Sequence, residues 1–184
     1  MITLKITDLL ANTAWYGVRK VYKTTGAPNP FYKIDEGPGI YKVYIKHEDI
    51  GDVQILNNVK SIVNNHYAQK DLPTRPSNIL QPLFDENIKF DNAKGIDNYI
   101  IYIGKADELR KRITLFMRSA CGGDSHDGGI DIWAVSDYDK LWIDIYTLDE
   151  SKGIFETARG WEKEEIDKFK REHGGSRPMA NRKD

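Results

Sequence analysis

Two short stretches of the chain carry the same kinds of residue in mirrored order. Gly39-Ile40-Tyr41 opens one β-branched and aromatic run, and Tyr102-Ile103-Gly104 closes another. A glycine beside a strand lets the backbone turn sharply and lets a neighbouring group come close, which makes Gly39 and Gly104 supports for whatever sits next to them. A tyrosine offers one hydroxyl, donor and acceptor at once, on a stiff ring. Arg112 stands eight positions past Gly104, on the first turns of an expected helix. Two phenols at a strand end beside a guanidinium can orient a water at a phosphate, and the arginine fork suits phosphate oxygens and the charge that grows on them. Further along, Glu162 falls on the apolar side of a helix expected over about 154–172, with Phe155, Ala158, Ile166 and Phe169. A carboxylate in that position requires a metal ion or a basic partner.

The elements that must position these groups follow from periodicity. Residues 40–45 read as a strand, with Lys42 facing opposite Tyr41 and Val43. Tyr99–Ile103 is apolar throughout, as in a strand covered on both faces, and Gly104 is expected to end it. Leu109, Ile113, Phe116, Met117 and Ala120 recur at threes and fours, predicting a helix of about 13 residues with Asp107 as its cap and Gly122-Gly123 as its stop. Residues 130–135 and 141–146 read as strands around the turn 136–139. A helix is expected within 7–23 and another over 54–67, before an irregular stretch broken by Pro73, Pro76 and Pro82. Gly174-Gly175 ends the last helix. The sum is one α+β domain over 1–184: a small antiparallel sheet of about three core strands plus extra, flanked by helices.

Taken together these residues resemble the GIY-YIG nucleases. Both name-giving triplets are present, followed by the segment Tyr102-Ile-Gly-Lys-Ala-Asp-Glu-Leu-Arg-Lys-Arg-Ile113. A glutamate, Glu162, precedes Ile166 by four positions, and Arg177-Pro-Met-Ala-Asn181 follows. The resemblance covers about 38–46 and 99–181, leaving an N-terminal extension, 1–36, and an insertion at about 47–98. It implies hydrolysis of phosphodiester bonds in DNA with one divalent metal, Mg²⁺ or Mn²⁺. Tyr41 would then help activate the water as general base, Tyr102 would position water or phosphate, and Arg112 would neutralise the transition-state charge. Glu162 would hold the metal, Lys105 would support Tyr41 or the phosphate, and Asn181 would pin the glutamate helix or the site wall. Where the family often carries His or Tyr four residues after the arginine, this chain has Phe116, and His126 in the glycine-rich stretch 122–129 is a candidate stand-in. The gap from Glu162 to Asn181 is longer than usual, which leaves Glu165 as the alternative carboxylate.

Composition bounds the partners. At 184 residues, with 40% hydrophobic and 11% aromatic content, the chain can build a core, and no apolar run approaches a membrane span. The opening Met1-Ile-Thr-Leu-Lys5 lacks a secretory layout, and the lone Cys121 excludes an internal disulfide framework and a four-cysteine zinc site, so a cytoplasmic protein is expected. Net charge is only −1, yet Lys105, Arg110, Lys111, Arg112 and Arg118 cluster within 105–118, so one face can be positive and meet DNA. Lys60 and Arg75 are further DNA-contact candidates in the insertion. Cutting both strands of a duplex would need two sites, hence a homodimer. Two other classes keep the same scaffold: a nucleic-acid-binding module that no longer cuts, and a protein-interaction module. The intact tyrosine, arginine and glutamate set favours the enzyme.

Overall fold

The computed structural model describes residues 1–14, 17–18, 29–53, 98–120, 132–133, 135, 138–149 and 157–181. Strand β1 is Ile2–Lys5, helix α1 is Ile6–Ala11, and β2 (Thr13–Ala14) pairs with β3 (Gly17–Val18). Strand β4 is Gly39–Lys46 and β5 is Asn98–Ala106. Helix α2 is Leu109–Ala120, β6 is Leu141–Thr147 and α3 is Ala158–Glu172. The main sheet has four antiparallel strands in the order β1-β6-β4-β5. The molecule is therefore a small α+β domain, its sheet flanked by helices.

Period-two alternation builds the sheet. In β6, Leu141, Ile143 and Ile145 are buried while Trp142, Asp144 and Tyr146 are half-buried. In β4, Tyr41 packs towards Phe116 of α2 whereas its neighbour Lys42 pairs with Glu165 of α3. Successive strand residues point to opposite faces, so α2 and α3 cover opposite sides of the sheet. The core joins Ile6 and Leu9 of α1, Phe31, Ile34, Tyr41, Val43, Ile113, Phe116 and Trp133, each at most 1% exposed. Thr157 caps α3 by accepting a hydrogen bond from the Gly160 amide at 3.1 Å, and Gly174 and Gly175, with φ of 62° and 87°, end it as expected.

Three expectations change. Among the described residues of 7–23 the expected helix covers Ile6–Ala11: Asn12 Nδ2 donates to the Asp8 carbonyl and Thr13 Oγ1 to the Leu9 carbonyl, and these side-chain bonds end the helix before the β2–β3 hairpin. Within the N-terminal extension, β1 pairs with β6 and α1 lies in the core. Of the strand expected at 130–135, Ile132 and Trp133 are in a helical turn closed by the Val135 amide on the Ile132 carbonyl, while Val135 lies in a β-bridge; Trp133 stacks on Phe116 at 5.0 Å with its Nε1 donating to Ser119 Oγ. Finally, β5 continues through Gly104 to Ala106, held by pairing with Gly39 and Ile40. The helix expected at 54–67, its flanking prolines, Lys60, Arg75, Cys121 and His126 lie outside the described residues.

Candidate active site

Tyr41 lies opposite Gly104 in the β4–β5 ladder, and Tyr102 lies opposite Val43. The two phenols are therefore diagonal neighbours on one face, with ring centres 5.8 Å apart. Glycine makes this possible. A Cβ on Gly104 would stand 2.6 Å from Tyr41 Cζ and 2.7 Å from both the Tyr41 hydroxyl and Tyr102 Cε1. Gly39 is needed for a different close approach, since a Cβ there would strike the Tyr146 carbonyl and lie 2.7 Å from Leu109 Cδ1.

Arg112 reaches these phenols from α2 and is hydrogen-bonded to both. Its helix is anchored by the segment before β4: the amides of Leu109 and Arg110 donate to the carbonyls of Gly37 and Asp35, both at 3.1 Å, so backbone rather than the Asp107 side chain takes them. Burial holds the Tyr41 hydroxyl well above the usual phenol range; Tyr102 adds to that, and Arg112 opposes it. Burial raises Tyr102 as well, but the hydrogen bond from Tyr41 and the charge of Arg112 pull it back. The two phenols are also hydrogen-bonded to each other. Tyr41 is 0% exposed and Tyr102 is 7% exposed. The water-facing role implied for Tyr41 thus fits Tyr102 better, with Tyr41 behind it.

Next to this group lies an open cleft of about 390 Å³, lined by Lys105, Arg112 and Glu162 together with Asp107, Glu108 and Lys111. It sits at the end of β5, where the faces covered by α2 and α3 meet. Burial pushes the Glu162 carboxyl above its ordinary value, while Lys105, Arg112, the hydrogen-bonded Lys105 amide and Arg159 work the other way. Glu162 therefore has the basic partners its half-buried position demands. Glu165 does not share the cleft: it holds Lys42 at 2.7 Å and accepts from Trp161 Nε1 at 3.3 Å. Asn181 supports the wall, its Oδ1 accepting from the Ile103 amide at 2.8 Å and its Nδ2 donating to the Ile103 carbonyl at 2.7 Å.

Phe116 is a core residue, fully buried between Tyr41 and Trp133. Arg110, expected on DNA, is turned back on the chain: Nε donates to the Ile34 carbonyl at 2.9 Å, one Nη pairs with Glu36 at 2.5 Å, and the guanidinium lies over Tyr32. Lys111 and Arg118 line an adjoining cleft of about 470 Å³ along α2. Sequence reasoning missed Lys42 and Trp161, whose only signals were a lysine on a largely buried strand and a tryptophan one helical turn before Glu165.

Among the described residues no group of three or more His, Cys, Asp or Glu can hold a metal, and no helix is long and apolar enough to cross a membrane. A single hard carboxylate beside an open cleft suits Mg²⁺, which keeps several waters and needs only one or two protein carboxylates. Comparison with family models, with curated proteins and with solved structures returns no match.

Proposed function

We propose that the chain is a metal-dependent DNA endonuclease of the GIY-YIG type. One observation carries the reading: Tyr41, Tyr102, Arg112 and Glu162, drawn from two strands and two helices, meet beside a cleft that also holds Lys105. A scissile phosphate entering the cleft meets Lys105 and Arg112, whose charges offset what develops on its oxygens. Tyr102, whose phenol keeps its proton, orients the attacking water, and Tyr41 and Arg112 hold the Tyr102 oxygen by hydrogen bonds; the proton that the water sheds passes to solvent in the open cleft, which returns one to the leaving sugar oxygen. Water oxygen bonds to phosphorus as the bond to the leaving sugar oxygen breaks. Glu162 is the residue that would hold Mg²⁺ or Mn²⁺, which when bound supplies Lewis-acid charge at the phosphate. One site cuts one strand, so cleavage of a duplex through both strands calls on two copies.

The test is incubation of the purified chain with plasmid and with branched DNA in Mg²⁺. Nicking or linearisation is expected, and Arg112→Ala or Glu162→Ala abolishes it. Cleavage no greater than that of those variants, across both substrates, overturns the reading. Salt-sensitive DNA binding in that case leaves a module that binds without cutting.

A further inference from the structure

The sheet face opposite the phenols carries an ion pair that the chemistry above does not use. Lys42 Nζ lies 2.7 Å from Glu165 Oε2 and 5.4 Å from the centre of the Tyr146 ring. The other Glu165 oxygen accepts from Trp161 Nε1, and the Trp161 ring meets Tyr146 edge-on at 5.8 Å. The Lys42 and Glu165 side chains retain only 15% and 21% exposure, so removing one partner leaves the other charge poorly solvated.

Position gives this pair its meaning. Lys42 follows Tyr41 on β4, and Glu165 stands three residues after Glu162, on the same side of α3. Elsewhere α3 grips the sheet through buried Ala158, Ile166 and Phe169, and Glu162 itself reaches the Lys105 amide. Apolar burial is non-directional and does not by itself fix a register. A slip of one residue moves a helical side chain by about 1.5 Å along the axis and turns it by about 100°. For Glu162 that slip means losing the Lys105 amide. A charged hydrogen bond with a defined geometry blocks it.

We propose that Lys42 is a positioning residue. By tying Glu165 to the strand that carries Tyr41, it sets the rotation of α3 and aims Glu162 into the cleft. The proposal rests on Glu162 being the carboxylate that takes the divalent ion.

The experiment reads metal binding without turnover. Protein labelled with fluorotryptophan is titrated with Mn²⁺, and paramagnetic broadening of the Trp161 resonance, assigned through Trp161→Phe, reports occupancy beside Glu162. Glu162→Gln is expected to remove the broadening. Lys42→Met is expected to raise the Mn²⁺ midpoint by about 10-fold or more, the loss usual when a residue behind a metal ligand is removed. Lys42→Arg, which keeps the charge, restores most of it. Glu165→Gln, which keeps an acceptor for Trp161 but loses the ion pair, gives the same shift and serves if Lys42→Met does not fold. If Glu162→Gln removes the broadening while Lys42→Met and Glu165→Gln titrate like the parent, Lys42 is only a stabilising residue and the proposal fails alone. If Glu162→Gln binds Mn²⁺ like the parent, the assignment of Glu162 fails and takes the proposal with it.

Discussion

Asn181 holds both backbone polar groups of Ile103 with one carboxamide, taking the amide at 2.8 Å and giving to the carbonyl at 2.7 Å. Strand β5 is the outer strand of the sheet, and the Ala180 amide bonds to Ile101 on the same edge. The last described residues therefore close an edge that otherwise presents unpaired groups at a residue with 0% exposure. Asn181→Ala is expected to cost about 1–3 kcal/mol, the penalty of leaving buried backbone groups unsatisfied. Urea unfolding measures the loss, and faster hydrogen exchange at the Ile103 amide localises it. An unchanged exchange rate at Ile103 would show that the carboxamide is not what protects this edge.

Gly104 leaves no room for a side chain between the two phenols. Alanine there puts a methyl group 2.6 Å from Tyr41 Cζ and 2.7 Å from Tyr102 Cε1, and both are parts of packed rings. Overpacking of this kind costs about 1–3 kcal/mol. The larger effect falls on chemistry, because the phenols must move away from Arg112. A displacement near 1 Å costs about 100-fold in rate. Urea midpoint and DNA-cleavage rate, measured on the same Gly104→Ala preparation, separate the two effects.

The two tyrosines are not equivalent. Tyr41 is hydrogen-bonded to Tyr102 and sealed in the core, so it acts through its neighbours. Tyr102→Phe is expected to slow cleavage by about 10²–10³, as when a transition-state hydrogen-bonding group is removed. Tyr41→Phe should cost about 10-fold, the worth of one hydrogen bond. In the Tyr102→Phe background it should cost less, because only its bond to Arg112 is then left to lose. Additive losses in the double variant would give Tyr41 an independent role.

What the sequence made legible, and what it did not, follows from the range of the forces involved. Strands β4 and β6 were readable because Tyr41, Val43 and Ile45, and Ile143 and Ile145, alternate with polar or aromatic neighbours over a full strand length. Strand β1 was not, since only Leu4 of its four residues is buried and its partner lies far along the chain, with Thr3 bonded to Asp144 across 141 positions. In the site, two phenols at a strand end beside a guanidinium were expected from the residue types, while Glu162 joined them through the family resemblance. The choice between Glu162 and Glu165 was not readable. They are three residues apart on one helix, and only the placement of Lys105 and Lys42 on β5 and β4 separates them. Nor was the depth of Tyr41: alternation tells which face a residue takes, while Phe116 packed behind the ring decides whether water reaches it.

Asp144 links the phenols of the opposite face. It accepts from Thr3 at 2.6 Å, from Tyr44 at 3.3 Å and from Tyr146 at 3.4 Å. Burial first, and then the Asp144 charge, push the Tyr44 and Tyr146 hydroxyls up to about 12 each. An unfolded tyrosine titrates near about 10. From about pH 10 to about 12 the folded chain thus keeps protons that the unfolded chain gives up. Stability contributed by these groups is complete below about pH 10 and falls as pH rises through that window. Removing both hydroxyls, in Tyr44→Phe with Tyr146→Phe, is expected to flatten the alkaline fall in urea midpoint. Asp144→Asn should flatten it in part. An equally steep fall in the double variant would assign the alkaline loss to other groups.

Arg110 and Lys111 are adjacent in sequence but differ in what they hold. Arg110 spends its donors on the Ile34 carbonyl and Glu36, and so ties α2 to the segment before β4. Among the described residues Lys111 pairs with Glu108 at 3.3 Å, with both side chains well exposed, a kind of pair that contributes little to stability. It also lines both clefts beside α2. Arg110→Ala should therefore lower stability by about 1–3 kcal/mol and leave the salt dependence of DNA affinity unchanged. Lys111→Ala should change stability by less than about 0.5 kcal/mol while making the slope of log affinity against log salt shallower by about 1, the signature of one lost phosphate contact. The reverse pattern, a shallower slope for Arg110→Ala with stability intact, would mean that this guanidinium leaves Glu36 for the nucleic acid. The strand-to-helix anchor would then have to be sought in the backbone bonds from Leu109 and Arg110 to Gly37 and Asp35.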